Sequence, residues 1–173
     1  MPIEIERKFL LLSDDWRDAV FFSEQIVQGY LANTRLCSVR LRLAGNAATL
    51  SVKSMAAGLR RDQFEYPVPA GDARQMLAAL CTGPLIEKRR HVIESGGHRF
   101  EVDEFAGENV GLVVAELELA DETEPYQRPF WLGDEITDEL RYYNFRLVVE
   151  PFASWPAADR EAARRGRHLE SAP

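Results

Sequence analysis

Ile3-Glu4-Ile5-Glu6-Arg7-Lys8-Phe9-Leu10 is the stretch on which the fold turns. Side chains along a β-strand alternate between two faces. Ile3, Ile5 and Phe9 therefore point one way, and Glu4, Glu6 and Lys8 form an acid-acid-base row on the other. One such row suits any solvated strand. The same division recurs down the chain, and each time the polar face is ionic. Val39-Arg40-Leu41-Arg42-Leu43 sets two arginines against three aliphatics, and Thr49-Leu50-Ser51-Val52-Lys53 puts Lys53 on a face with Thr49 and Ser51. Arg61, Gln63 and Glu65 share a face, as do Lys88 and Arg90, then Arg99, Glu101 and Asp103, and finally Glu116 and Glu118.

Bulk properties frame this pattern without explaining it. The chain has 173 residues, the length of about one domain. Hydrophobic residues make up 46% and charged residues 28%, which is ordinary for a globular protein. A formal net charge of −7 argues against a general nucleic-acid binder, whose footprint is basic. Cys37 and Cys81 form no C-x-x-C pair, so neither a zinc site nor a disulfide scaffold is indicated. The first strand begins among charges, with no apolar leader, and no run of about 18 apolar residues exists. A reduced, cytoplasmic setting with no membrane partner is the expectation.

Turn residues divide the first two-thirds into short strands near 3–12, 25–32, 36–44, 48–54, 61–68, 85–95, 98–105 and 112–120. Eight is an even number, suited to antiparallel closure. Gly45-Asn46 and Gly96-Gly97 read as hairpin turns. Ser13-Asp14-Asp15-Trp16 reads as a capped helix start. Asp72 followed by Ala73, Met76, Leu77 and Leu80 predicts a second helix over 72–80. Beyond residue 121, prolines and aromatics predict short helices lying across the sheet, and Ala157–Arg167 a final helix. The predicted fold is α+β but mostly β: a closed eight-stranded antiparallel barrel with helices outside. Residues 1–150 form the domain, and 151–173 a C-terminal extension.

A solvated sheet face accounts for any one charged row. The full set is harder to place there, because Glu4/Glu6 and Glu116/Glu118 are acid pairs, whereas Arg40/Arg42 and Lys88/Arg90 are basic pairs. Like charges side by side on one face repel. A ligand of both signs removes that repulsion. Paired carboxylates suit hard divalent cations such as Mg²⁺ or Mn²⁺, and arginines suit phosphate oxygens. An eight-stranded barrel encloses room for about one small ligand. The pattern therefore predicts an inward charged face that binds a metal-chelated polyphosphate. Outer-membrane barrels share this inverted polarity, but the N-terminus has no signal peptide.

These residues resemble the CYTH superfamily, the triphosphate tunnel metalloenzymes. The likeness rests on Glu4-x-Glu6-x-Lys8, Gln28-Gly29-Tyr30-Leu31, Val39-Arg40-Leu41-Arg42, Leu50-Ser51-Val52-Lys53, Phe64-Glu65-Tyr66, Glu87-Lys88-Arg89-Arg90, Glu101-Val102-Asp103, Ala115-Glu116-Leu117-Glu118-Leu119 and Arg141-Tyr142-Tyr143-Asn144. It spans about residues 2–148 and is nearest to the short bacterial members, which hydrolyse inorganic triphosphate to pyrophosphate and phosphate. The resemblance implies that Glu4, Glu6, Glu116 and Glu118 hold Mg²⁺ or Mn²⁺, with Glu65 and Asp103 on the same acidic side. Lys8, Arg40, Arg42, Lys53, Arg61 and Arg90 would grip the phosphates, and Lys88 and Tyr30 match the family's lysine and tyrosine dyad. Lys88 serves as a base only if its pKa falls, and Arg90 would push it that way.

Gln63 stands where the family commonly has glutamate, and His91 where tyrosine is common; His91 points outward and reads as structural. Thiamine triphosphatase, nucleoside triphosphatase and CYTH-type adenylyl cyclase remain alternatives, as does a non-catalytic polyphosphate-binding module. A triphosphate-containing small molecule is the expected partner, with homodimerisation left open.

Overall fold

The computed structural model describes residues 3–54 and 60–169, with the side chains of residues 3, 4, 60 and 61 outside that description. Gly58, between the strands expected at 48–54 and 61–68, and the tail at 170–173 also lie outside the described residues. The strands are β1 (Ile3–Leu11), β2 (Val20–Asn33), β3 (Cys37–Ala44), β4 (Ala47–Ser54), β5 (Arg60–Val68), β6 (Ile86–Ser95), β7 (His98–Phe105), β8 (Val113–Leu119) and β9 (Leu132–Glu135). Among the described residues three α-helices accompany them: α1 (Ala70–Ala79), α2 (Asn144–Leu147) and α3 (Ala157–Arg164). Among the described residues no helix is long and apolar enough to cross a membrane.

All described strands join one antiparallel sheet in the order β5-β4-β3-β2-β6-β7-β8-β1-β9. The sheet is rolled, so that β5 meets β1 again along a short seam, Ile3–Ile5 against Arg60–Asp62. This corrects the closed eight-stranded barrel predicted above: among the described residues the sheet has nine strands and returns on itself along that short seam. The ninth strand pairs with the far end of β1, at Phe9 and Leu11. Leu132-Gly133-Asp134-Glu135 has no alternating apolar pattern, so its extended form depends on β1 rather than on local preference.

Local chemistry explains the turns and two shifted boundaries. Gly45 has φ 56°, and Gly96 and Gly97 have φ 59° and 81°, left-handed values that glycine adopts without a Cβ penalty. The first helical element is a 3₁₀ turn, Asp15–Ala19, with Asp14 rather than Ser13 at its N-cap. β2 starts directly after it, five residues before the predicted position, because Val20 and Phe22 pair with Ile93 and Val92 of β6. α1 starts at Ala70 behind Pro69, so Asp72 lies in its acidic first turn instead of capping it.

Apolar packing occurs in three places. On the outer face of the sheet, Ile5, Phe9, Phe100, Val102, Ala115 and Leu117 are covered by Trp16, Trp131 and Leu132. Ala73 and Leu77 of α1 cover Leu41 of β3 and Ala48 of β4. The third cluster lies on the inner face. Leu10 shares its face with Lys8, Ile86 with Lys88, Phe105 with Asp103, and Val114 with Glu116, following the strand period. Those four apolar residues pack with Tyr142, Leu147, Phe152, Trp155 and Ala163. One end of the roll is therefore an apolar core filled by the C-terminal segment, and the ionic rows occupy the rest.

Candidate active site

Inward-facing positions of β1 to β8 line a cavity of about 1020 Å³. Its lining includes Glu6, Lys8, Tyr30, Arg40, Arg42, Lys53, Glu65, Lys88, Arg90, Glu116 and Glu118, all predicted site residues. Asp103 stands behind them, 1% exposed, and reaches the site through its partners. The backbones of Glu4 and Arg61 are paired with each other across the seam, but their side chains are not among those described.

The acidic strands β7, β8 and β1 lie side by side, and three cations are set into them. Lys8 contacts Glu6 and Glu116. Arg90 donates to Asp103 through Nε at 2.8 Å and Nη2 at 2.7 Å, to Glu116 Oε2 at 2.6 Å, and to Glu101. Lys88 contacts Asp103. Acid and base are thus less separated than an acidic wall facing a basic one. Glu6 and Glu118 are direct cross-strand neighbours, as are Glu101 and Glu116, an arrangement that needs interposed cations.

Burial and charge set the titration of these groups in opposite directions. Burial pushes Lys88 down, Arg90 adds to the effect, and Asp103 and Glu116 only partly resist, leaving a pKa of about 8. Burial also acts against the charged form of Lys8, but Glu116 and Glu6 outweigh it and hold Lys8 above its ordinary value. Glu116 is buried too, yet Lys8 and Arg90 keep it well below the usual carboxylate range. Asp103 is likewise lowered by Arg90 and Lys88 against its burial.

On the other side of the roll the arginines are less fully matched. Burial, then the Arg90 and Arg40 charges, push Arg42 below its ordinary value, and a carboxylate oxygen of Glu24 lies 3.5 Å from its Nη2. The Nε of Arg40 is buried with no hydrogen-bond partner among the described residues. Gln63 lies beside Lys53 in register and also lines the cavity, its Oε1 buried with no partner among the described residues. Glu65 accepts a hydrogen bond from the buried Ser51 at 2.7 Å.

Among the described residues no group of three or more His, Cys, Asp or Glu side chains is gathered as a metal cage. The donor chemistry nevertheless fits a hard cation. Glu6, Glu116 and Glu118 offer carboxylate oxygens from paired strands to one cavity. Two of the three now hold Lys8.

His91 faces outward as expected: Nδ1 is 2.8 Å from Ser23 Oγ, Nε2 is 2.7 Å from Glu104 Oε2, and the ring packs at a tilt against Trp16, with centroids 5.1 Å apart. Sequence reading assigned no role to Gln28, Glu101, Arg141, Tyr143 or Asn144, all of which line the cavity. The first two share a strand face with Tyr30 and Asp103, and that parity was a usable signal. The last three come from the segment after β9, where no strand period exists. Tyr143 places its ring 5.1 Å from Lys8 Nζ and donates from its hydroxyl to Thr137 O at 2.5 Å.

The chain is 39% identical over 158 residues to an inorganic triphosphatase of Acetivibrio thermocellus, a match covering 90% of this chain and 99% of that protein. It is 33% identical over 153 residues to an inorganic triphosphatase of Nitrosomonas europaea, covering 84% and 97% respectively. A solved crystal structure of an inorganic triphosphatase superposes with a TM-score of 0.64 at 30% identity, over 91% of this chain and 99% of the other. The model of the CYTH domain matches residues 2–148. With that span covering most of the chain and every charged row described above, the chain belongs to the CYTH domain family.

Proposed function

We propose that this protein hydrolyses inorganic triphosphate to pyrophosphate and phosphate inside the rolled sheet, with Mg²⁺ or Mn²⁺. The observation that carries the reading is the pair Arg40 and Arg42 on a cavity wall, one with a buried Nε that has no hydrogen-bond partner among the described residues and the other lowered by burial and then by its cationic neighbours. Such a wall is complete only with an anion against it. The triphosphatase relatives supply the substrate class.

Phosphoryl transfer depends on positioning and on charge spread over the phosphoryl oxygens. Arg40, Arg42 and Lys53, with Arg61, bind the chain of phosphates from one side, and Lys8 and Arg90 from the other. A divalent cation held by Glu6, Glu116 and Glu118, with Glu4 of the same strand, would neutralise phosphoryl oxygens. Glu65 and Asp103 support that acidic side, Asp103 by fixing Arg90 and Lys88. In its neutral form Lys88 takes a proton on Nζ from the attacking water, whose oxygen forms the new bond to the terminal phosphorus. The bridging P–O bond then breaks, and pyrophosphate leaves against the arginines. Tyr30, buried in the same cavity, is assigned the role of orienting Lys88.

Phosphate release should be measured from tripolyphosphate, thiamine triphosphate and ATP, with and without Mg²⁺ or Mn²⁺. Metal-dependent release fastest from tripolyphosphate is expected. Tight binding with no release from any of the three would leave only a polyphosphate-binding module.

A further inference from the structure

Most cations of the cavity come from strands, but Arg141 and Arg146 are supplied by the segment after β9. The two are held differently. Arg146 is 45% exposed, and Glu150 lies 3.8 Å away on the next turn. Arg141 is 19% exposed, donates from Nη1 to Asp159 Oδ2 at 2.9 Å, and lies with its guanidinium carbon 3.8 Å from the centre of the Trp155 ring. Trp155 is itself fixed. It is 2% exposed, donates from Nε1 to Glu150 O at 3.1 Å, and packs edge-on against Tyr142 and Phe152 at 5.1 Å.

A guanidinium has five N–H donors in one plane. The indole face fixes that plane, and the Asp159 pair uses one edge of it. Because the orientation is set before any ligand arrives, little side-chain entropy remains to be lost on binding. A contact serving only to tie the Leu140–Tyr142 turn to α3 would not need the arginine to line the cavity.

We propose that Arg141 is a further phosphate-contacting residue, and that Asp159 and Trp155 of the C-terminal segment are its positioning residues. This rests on the triphosphate reading above. It gives residues 151–169 a task at the site: they hold a cation that the sheet cannot supply.

Tripolyphosphate binding by the full chain, measured by calorimetry in chelator to stop turnover, tests the proposal, with steady-state kcat and KM in Mg²⁺ alongside. Arg141→Ala should bind about tenfold or more weakly and raise KM more than it lowers kcat. Arg141→Lys should recover only part of the loss, since lysine lacks the planar fork. Asp159→Asn should weaken binding by about three- to tenfold, and Asp159→Glu should stay within about twofold of wild type. Because Asp159 acts through Arg141, Asp159→Asn should cause no further loss in an Arg141→Ala background. Wild-type affinity in Arg141→Ala, or a full additional loss in the double variant, would overturn the proposal. If Asp159→Asn fails to fold, Arg141→Ala and Arg141→Lys decide it. Wild-type protein that neither binds nor hydrolyses tripolyphosphate would instead remove the functional reading on which the proposal stands.

Discussion

Lys88 is buried against the carboxylate of Asp103, and the same carboxylate takes both Nε and Nη2 of Arg90. One buried anion thus serves two cations. Arg90 then adds its own repulsion to the effect of burial on Lys88, and the ammonium is brought down to about 8. Lys8 has two carboxylates against it, Glu6 and the Glu116 it shares with Arg90, and is held above its ordinary value. The two lysines face one cavity, but only one can become neutral near physiological pH.

Activity should therefore rise with pH through about 8, as Lys88 loses its proton. Lys88→Ala should lower kcat by about 10²- to 10⁴-fold and remove that limb. Asp103→Asn should move the limb to lower pH, because the lost anion was holding the Lys88 pKa up. A pH profile of kcat for the three proteins checks this; a Lys88→Ala profile parallel to wild type would take the base role from Lys88.

Acid should destabilise the fold through Glu116 and Asp103. Both have folded-state pKa values below their ordinary values of 4.5 and 3.8. The unfolded chain therefore takes up protons first as pH falls, so their contribution is complete above those ordinary values and is lost on going down through the folded ones. Urea midpoints measured from pH 7 to pH 3 should fall steeply below about 4.5. Glu116→Gln should start less stable, by about 3 kcal/mol for breaking a buried pair, and should show a shallower acid limb. An unchanged limb would place the acid sensitivity elsewhere.

How much of this was legible depends on whether a residue's role followed from strand parity. Glu6 and Lys8, Arg40 and Arg42, Lys53, Lys88 and Arg90, and Glu116 and Glu118 all fall on one face because alternation is a property of any strand. Their arrival in one cavity followed from the roll. The same parity also carries Leu10, Ile86, Phe105 and Val114 inward, where the face turns apolar. A residue pattern that changes chemistry along a single face looks like two different faces in sequence. The pairing of Lys8 with Glu116, or of Arg90 with Asp103, depends on strand order and register, which no local pattern encodes. Arg141 belongs to the Arg141-Tyr142-Tyr143-Asn144 motif, but its stacking on Trp155 joins residues that no periodicity connects.

Arg40 and Arg42 should favour binding at the expense of the unliganded fold. Arg40 is one of the charges lowering Arg42, after burial and Arg90. Arg40→Gln should leave unliganded stability unchanged or raise it by up to about 1 kcal/mol, as loss of a like-charge neighbour would. The same variant should bind tripolyphosphate about tenfold or more weakly, for want of a charge-assisted contact. Thermal unfolding with and without tripolyphosphate separates the two effects. A marked fall in unliganded Tm would mean that Arg40 has a structural task instead.

Phe152 should be among the most costly side chains to remove, although it lies beyond the last strand. It is fully buried, its backbone N–H donates to Asn109 Oδ1 at 2.8 Å, and its ring packs on Trp155 in the cluster that includes Leu10, Ile86 and Leu112. Phe152→Ala should cost about 3–5 kcal/mol, the usual range for emptying a buried aromatic site. Ending the chain at Glu150 removes Phe152, Trp155 and Ala163 together, and leaves the inward apolar end of the roll facing water. That chain should unfold or aggregate on expression. Denaturant unfolding of Phe152→Ala, with solubility and near-ultraviolet circular dichroism of the shortened chain, measures both. A soluble shortened chain with native-like aromatic signals and wild-type Tm would mean that the sheet needs no filling at that end.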